Sequence, residues 1–363
     1  MGLKVITPAS LLADLPAQSK ILVIRLRSIG DIVLLTPALH LLKAWRPDLL
    51  VSVLVESRFR ELLEGNSDVD EILAPGEGPI KAASQLAVAF ALRRKRFALC
   101  LNLHGGPTSR FLNRMCGARI KVGFEHFRSP GQYQILIPDA RLILGQPSVH
   151  TAEHQAAVLF HLGLPRVEIP RARIFVSGEH AKWWKATRAS LGLEPGDEFV
   201  LIHPTALYGT KQWAPEKFVR LSGWLERETR LKPVFSCGPG EGGVLLAVQH
   251  AAAFPIRRLE APSLGQFAAA IADARLFVGN DSGPAHLAAA LSRPLVVIFG
   301  SSSSSIWGPW PRRAASPQAR VVQNSYECNP CPGDRCYRFE RPECILSVTF
   351  EQVQSAVQTV LAP

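Results

Sequence analysis

The chain has 363 residues, 47% hydrophobic and 20% charged, with 27 Gly and 28 Pro. That is long for one compact core, suits two domains, and is far too apolar for a disordered chain. Its 41 basic residues against 30 acidic give a net charge of +11, which fits an anionic small ligand, an anionic lipid surface or nucleic acid without choosing among them.

The longest apolar stretch near the N-terminus, 32–42, is interrupted by Thr36, Pro37 and His40 and falls well short of the ~20 residues a membrane span needs. Residues 1–20 carry Lys4 and Asp14 and no continuous apolar core, so no secretory signal is expected and the chain reads as soluble and cytoplasmic. In chain order, 21–26 reads as a buried strand, followed by a turn through Arg27-Ser28-Ile29-Gly30-Asp31 and a helix over 32–45. A strand at 51–55, a short helix at 59–63, a helix over 82–96 and a strand at 97–103 complete the first half. The cluster Arg93-Arg94-Lys95-Arg96 ends a helix, where cations suit the dipole, and is too isolated to suggest a grip on nucleic acid. Around 165–179, Pro165, Pro170 and Gly178 suggest a linker.

The second half repeats the plan. Strands are expected at 199–202, 234–237, 276–279 and 295–299, and helices at 215–229, 264–273 and 284–291. Pro215 suits the first turn of its helix. Near-continuous apolar strands alternating with helices mean parallel sheets covered on both faces, hence two doubly wound α/β domains. No repeat at solenoid spacing is present. In such sheets ligands bind at the carboxyl ends of the strands, and two such domains facing each other would form a cleft there.

Three strings sit at expected strand ends. In the first, Gly30 permits a sharp turn and Asp31 opens a helix, either as part of its cap or as a general base; position alone favours the cap. One glycine is not the dinucleotide fingerprint. The second runs from His203 to Trp213, where Thr205 and Thr210 could donate to phosphate oxygens and Lys211 could supply a cation; Trp213 reads as a core aromatic. In the third, Asp281, Ser282 and Gly283 precede a helix whose free N–H groups can hold an anion such as a diphosphate, although Asp281 and Ser282 could equally be caps. A lone histidine such as His286 on a first helical turn is more often structural than catalytic. The serine tract 301–305, before Trp307-Gly308-Pro309, reads either as a phosphate or ribose loop or as plain surface.

Seven cysteines in a chain of this length do not suggest a disulfide framework. Four of them, Cys328, Cys331, Cys336 and Cys344, fall within seventeen residues and could enclose a structural zinc or iron, or could be plain reduced thiols.

Taken together, these strings resemble glycosyltransferase family 9, the ADP-heptose:lipopolysaccharide heptosyltransferases. The resemblance rests on Ile24 to Val33 with Thr36-Pro37-Ala38-Leu39, on Lys211-Gln212-Trp213-Ala214-Pro215-Glu216, and on Gly279 to Leu287. It implies a GT-B fold, two facing Rossmann-like doubly wound domains. The implied divisions are an extension at 1–19, an acceptor-binding domain at 20–172, a nucleotide-sugar domain at 173–345, and a C-terminal helix at 346–363 returning to the first domain.

The same resemblance implies an inverting enzyme with no cofactor required for catalysis. It would transfer a heptose from ADP-L-glycero-D-manno-heptose to a lipopolysaccharide inner-core Kdo or heptose. A protein or other glycan acceptor, or a GT-B-shaped nucleotide-sugar epimerase, are the alternatives. Asp31 matches the catalytic base, and Lys211, Asp281, Ser282, Gly283 and His286 match the donor-binding positions, with Thr205 beside them. The partners implied are an ADP-sugar and an anionic lipid-linked glycan met at the inner membrane face, and no nucleic acid. Arg58 and Arg60 are expected on the acceptor side, with Arg27, Arg110, Arg114 and Arg128 as further cations there.

Overall fold

A computed structural model describes residues 7–76, 80–127, 130–311 and 318–362; Arg128 lies outside them. The chain divides into two units, Met1–Arg173 and Ile174–Pro363. Each is built on six parallel strands.

In the first unit these are β1 (Lys20–Ile24), β2 (Leu50–Leu54), β3 (Glu71–Leu73), β4 (Leu99–Asn102), β5 (Ile120–Phe124) and β6 (Ile135–Ile137), in the order β3-β2-β1-β4-β5-β6. The second has β7 (Phe199–His203), β8 (Lys232–Cys237), β9 (Arg257–Glu260), β10 (Leu276–Asn280), β11 (Leu295–Phe299) and β12 (Ala319–Gln323), in the order β12-β11-β10-β7-β8-β9. Counted from its own first strand, each sheet has the Rossmann order 3-2-1-4-5-6. The chain therefore reverses direction of growth between β1 and β4 in one unit and between β7 and β10 in the other. At these switch points the loops leaving adjacent strands part to opposite faces and open a crevice. The register makes the neighbours specific: Ile24 lies beside Asn102, and His203 beside Gly279.

The central strands are apolar because helices cover both faces. β4, β7, β10 and β11 are buried along their whole length. The helix Pro215–Glu228 starts at Pro215, as expected, and buries Phe218, Leu221, Trp224 and Leu225 on one face.

One expectation changes. The single helix expected over 32–45 is two, Ile29–Val33 and Thr36–Trp45. Pro37 has no N–H to give the Val33 carbonyl four residues back, and the Thr36 hydroxyl serves that carbonyl instead at 2.7 Å. The last helix, Phe350–Leu361, is amphipathic and buries its apolar face. Val353, Val357 and Val360 pack with Val296, Ile298, Val322 and Trp224 in the second unit's own core.

Candidate active site

In the first unit, the loop leaving β1 carries Arg25, Arg27, Ser28 and Asp31. Ser28 caps the helix Ile29–Val33, and Asp31 is that helix's third residue. The Asp31 Oδ2 atom accepts from the Ser28 backbone N–H at 3.1 Å and from the Ser28 hydroxyl at 3.0 Å. Its Oδ1 atom accepts from the Arg25 guanidinium, which also donates to the Leu103 carbonyl. Gln155, on the helix Thr151–His161, donates to the Asp31 carbonyl at 3.1 Å. Asp31 is thus a capping residue as position suggested. It is more than that, because a carboxylate has about four lone-pair sites. Three donors leave one free on an oxygen whose orientation is fixed, the arrangement a positioned base requires.

His104 shares this corner, and sequence reading missed it. It follows β4, the strand beside β1, and its N–H donates to the side chain of the buried Asn102 at 3.2 Å. Burial, reinforced by the charges of Arg25 and Arg27, pulls its imidazole down from 6.5 to about 4, so it is neutral at physiological pH. The available signal was the string His104-Gly105-Gly106-Pro107, a polar residue between a strand and a proline-started helix. Gly105 is obligatory there. Its φ is +72°, and a Cβ would stand 2.4 Å from the Phe127 ring.

Arg58 and Arg60 lie on the 3-10 turn Ser57–Leu62 after β2. Both are exposed enough to meet solvent, yet each already has a carboxylate. Arg58 Nη2 is 2.7 Å from Glu56 Oε2, and Arg60 Nε is 2.8 Å from Glu64 Oε1. Arg27, by contrast, is exposed and has no carboxylate partner among the described residues.

In the second unit, the loop after β7 is pinned to the end of β10. The fully buried Asn280 side chain accepts from the Trp213 N–H at 3.1 Å and donates to the Pro204 carbonyl at 2.7 Å. Trp213 is a core aromatic, and its indole donates to the Val348 carbonyl at 2.8 Å. Pinning of the loop delivers Lys211 to β10, where its Nζ lies 2.8 Å from Asp281 Oδ2. The Asp281 side chain is only 6% exposed and that of Lys211 23%, so the cation is the member that faces outward. Ser282 occupies the cap position of the helix Gly283–Ala290, and its hydroxyl donates to the Asn280 carbonyl at 3.3 Å. Gly283 opens that helix, and His286 is buried on its first turn.

The loop hydroxyls differ from expectation. Thr205 is buried, and its hydroxyl donates to Glu241 at 2.6 Å while meeting His203 Nε2 at 2.7 Å. With the one hydroxyl proton given to Glu241, Nε2 must be the donor to Thr205. Nδ1 lies 3.0 Å from the Ser236 hydroxyl, which also donates to the Ile202 carbonyl at 3.3 Å. His203 is neutral, drawn down to about 4 by burial. Thr210 donates to the Gly333 carbonyl. Both hydroxyls are therefore spent inside the unit, fixing the loop that presents Lys211, and are not aimed at a phosphate.

The four tail cysteines line one cavity of about 250 Å³, together with Thr210, Ser301 and Tyr337. All four are free thiols, and burial pushes the Cys344 thiol up to about 11. Sharing a cavity is not convergence, however. Among the described residues no group of three or more His, Cys, Asp or Glu stands where it could hold a metal ion. Cys331, Cys328 and Cys336 nonetheless lie close enough to act electrostatically on Cys344.

The model of glycosyltransferase family 9 (heptosyltransferase) matches residues 85–338. Lipopolysaccharide heptosyltransferase 3 of Escherichia coli K12 is 28% identical over 295 residues, which span 77% of this chain and 82% of that protein. A family 9 glycosyltransferase structure from Veillonella parvula superposes with a TM-score of 0.79 at 22% identity, over 98% of this chain and 99% of that one. The structure of E. coli ADP-heptose lipopolysaccharide heptosyltransferase II gives 0.77 at 20% identity, over 94% and 98%. These likenesses carry the GT-B fold expected from the sequence.

Proposed function

Since the chain belongs to glycosyltransferase family 9, we propose that it transfers a heptose from ADP-L-glycero-D-manno-heptose to an inner-core Kdo or heptose of lipopolysaccharide, with inversion at the anomeric carbon. The observation that carries this reading is what each unit holds at its own switch point. One unit offers an oriented carboxylate, Asp31, and the other an outward cation, Lys211, beside a helix N-terminus. The donor comes from the relatives, whose names include an ADP-heptose enzyme and lipopolysaccharide heptosyltransferases.

In the reaction, Asp31 takes the proton of an acceptor hydroxyl as that oxygen bonds to the anomeric carbon. The bond from that carbon to the diphosphate breaks, and the electron pair leaves on ADP. Lys211 and the first-turn N–H groups of Gly283–Ala290 receive the charge that develops there. Asp281 keeps Lys211 in place. Thr205 and Ser282 act on the donor through the loop and cap they hold. His286 is buried on the first turn of that helix.

The acceptor is anionic and lipid-linked, so the enzyme works at a membrane face. Among the described residues no helix is long and apolar enough to cross a membrane. Arg27, unpaired and four residues from Asp31, is the better placed cation for an acceptor anion than Arg58 or Arg60.

The deciding experiment is Asp31→Asn, assayed for heptose transfer and, separately, for ADP binding by calorimetry. Asparagine still accepts a cap hydrogen bond but cannot take a proton. We expect turnover to fall ~10²–10⁴-fold, the usual worth of a general base, with ADP affinity kept because the donor residues belong to the other unit. Near-normal turnover would leave Asp31 as a cap alone.

A further inference from the structure

The helix Ala82–Arg94 is apolar on two faces, and among the described residues only one of them has a partner within the fold. Its inner face, Val88, Ala89 and Leu92, is buried with Ile80 and Phe97 in the first unit's core. Its outer face carries Leu86, Ala87, Phe90 and Ala91, all exposed. Leu86 keeps 65% of its surface in water and Phe90 63%. At 100° per residue these four side chains share one side of the helix with Arg94. Leu86, Phe90 and Arg94 form an i, i+4, i+8 row, and the Arg94 guanidinium sits over the Phe90 ring at 5.4 Å.

The charges carried by this segment itself all have one sign. Residues 81–96 contain Lys81, Arg93, Arg94, Lys95 and Arg96 and no Asp or Glu. Lys95 is tied to Glu71, whereas Arg93, Arg94 and Arg96 are exposed.

We propose that the outer face of this helix is a docking surface for an anionic lipid bilayer. Leu86 and Phe90 would enter the boundary between headgroups and acyl chains, and the arginines would lie against lipid phosphates. An apolar strip with a large aromatic and a cationic rim is the composition of a helix that lies in the plane of a membrane interface. Charge decides against the other occupant an apolar strip invites. A second copy of this chain would bring a second net charge of +11 to a segment, 81–96, that carries five cations and no carboxylate of its own. An anionic lipid surface instead attracts each cation within about a Debye length. The purpose of such docking rests on the lipid-linked acceptor proposed above. The docking itself can be measured without turnover, so either reading can fail alone.

The experiment is co-sedimentation of the full chain with vesicles of phosphatidylcholine, with and without phosphatidylglycerol. The wild type should pellet with the anionic vesicles, weakly with the neutral ones, and be released by salt. Leu86→Gln/Phe90→Gln should reduce binding to anionic vesicles by about tenfold or more, since it removes the apolar part. Arg94→Gln/Arg96→Gln should weaken it roughly thirty-fold, two cations each worth a factor of about five at such a surface, and leave neutral-vesicle binding unchanged. All four side chains are exposed, and circular dichroism confirms that each variant folds. Equal binding to both vesicle types, or wild-type binding by the Leu86/Phe90 variant, would overturn the proposal. So would a wild-type dimer in sedimentation velocity that this variant returns to monomer, which would assign the face to a second copy.

Discussion

Lys211 and Asp281 illustrate how a single contact sets the worth of a binding residue. The ion pair holds the cation at the end of β10, at the proposed donor site, but the carboxylate it answers is nearly enclosed. Removing the lysine therefore does two things: it takes a cation from the diphosphate and leaves a negative charge facing it. Lys211→Ala should weaken ADP binding by about tenfold or more, in the range seen when one member of a hydrogen-bonded charge pair is truncated. Lys211→Ala/Asp281→Asn should bind ADP better than the single variant, because the orphaned charge has gone. Calorimetry of both variants gives the two contributions. Unchanged affinity in Lys211→Ala would return this lysine to the class of solvated loop residues.

The strand-end loops are the elements that carry the chemistry, and their glycines decide whether they can form. Gly105→Ala forces a left-handed backbone on a residue with a Cβ, at about 1–2 kcal/mol, and drives that Cβ against Phe127. Thermal melting should show the loss of stability. Transfer should fall with it, because His104 and the backbone beside Asp31 share that corner. A variant with wild-type melting and turnover would show that the loop tolerates another path.

These loops also mark where sequence reading stopped. Buried strands such as β7, β10 and β11 were legible because their apolar runs are continuous and cannot be satisfied in a one-sided sheet. Asp31 and Lys211 were legible as candidates because they follow such strands. The use of Thr205 and Thr210 was not, because their partners, Glu241 and Gly333, are 36 and 123 positions away. The last helix likewise packs its valines on β11 and β12, strands distant in sequence. An amphipathic pattern states that a helix buries a face, not which core receives it.

At the scale of the molecule, three histidines bind the stability of both units to pH. His104 and His154 in the first unit and His203 in the second are each held near 4 by burial, below the ordinary 6.5. Between those values the unfolded chain takes up a proton at each site and the folded chain does not. Their contribution is thus complete above about 6.5 and is lost as pH falls toward 4. Each proton makes stability fall by roughly 1.4 kcal/mol per pH unit within that window. His104 and His154 are only partly buried and keep some water, which reduces their share. His203, enclosed between Ser236 and Thr205, carries the largest. Asp139, drawn down to about 2 by Arg141, loses its contribution only below its usual 3.8. Urea unfolding at a series of pH values should therefore show a stability that is level near neutrality and declines from about pH 6.5. His203→Gln, whose amide can still donate to Thr205, should flatten that decline by about one proton. A decline that begins only below pH 4, or one untouched by His203→Gln, would mean that these imidazoles are protonated as readily in the folded chain as in the unfolded one.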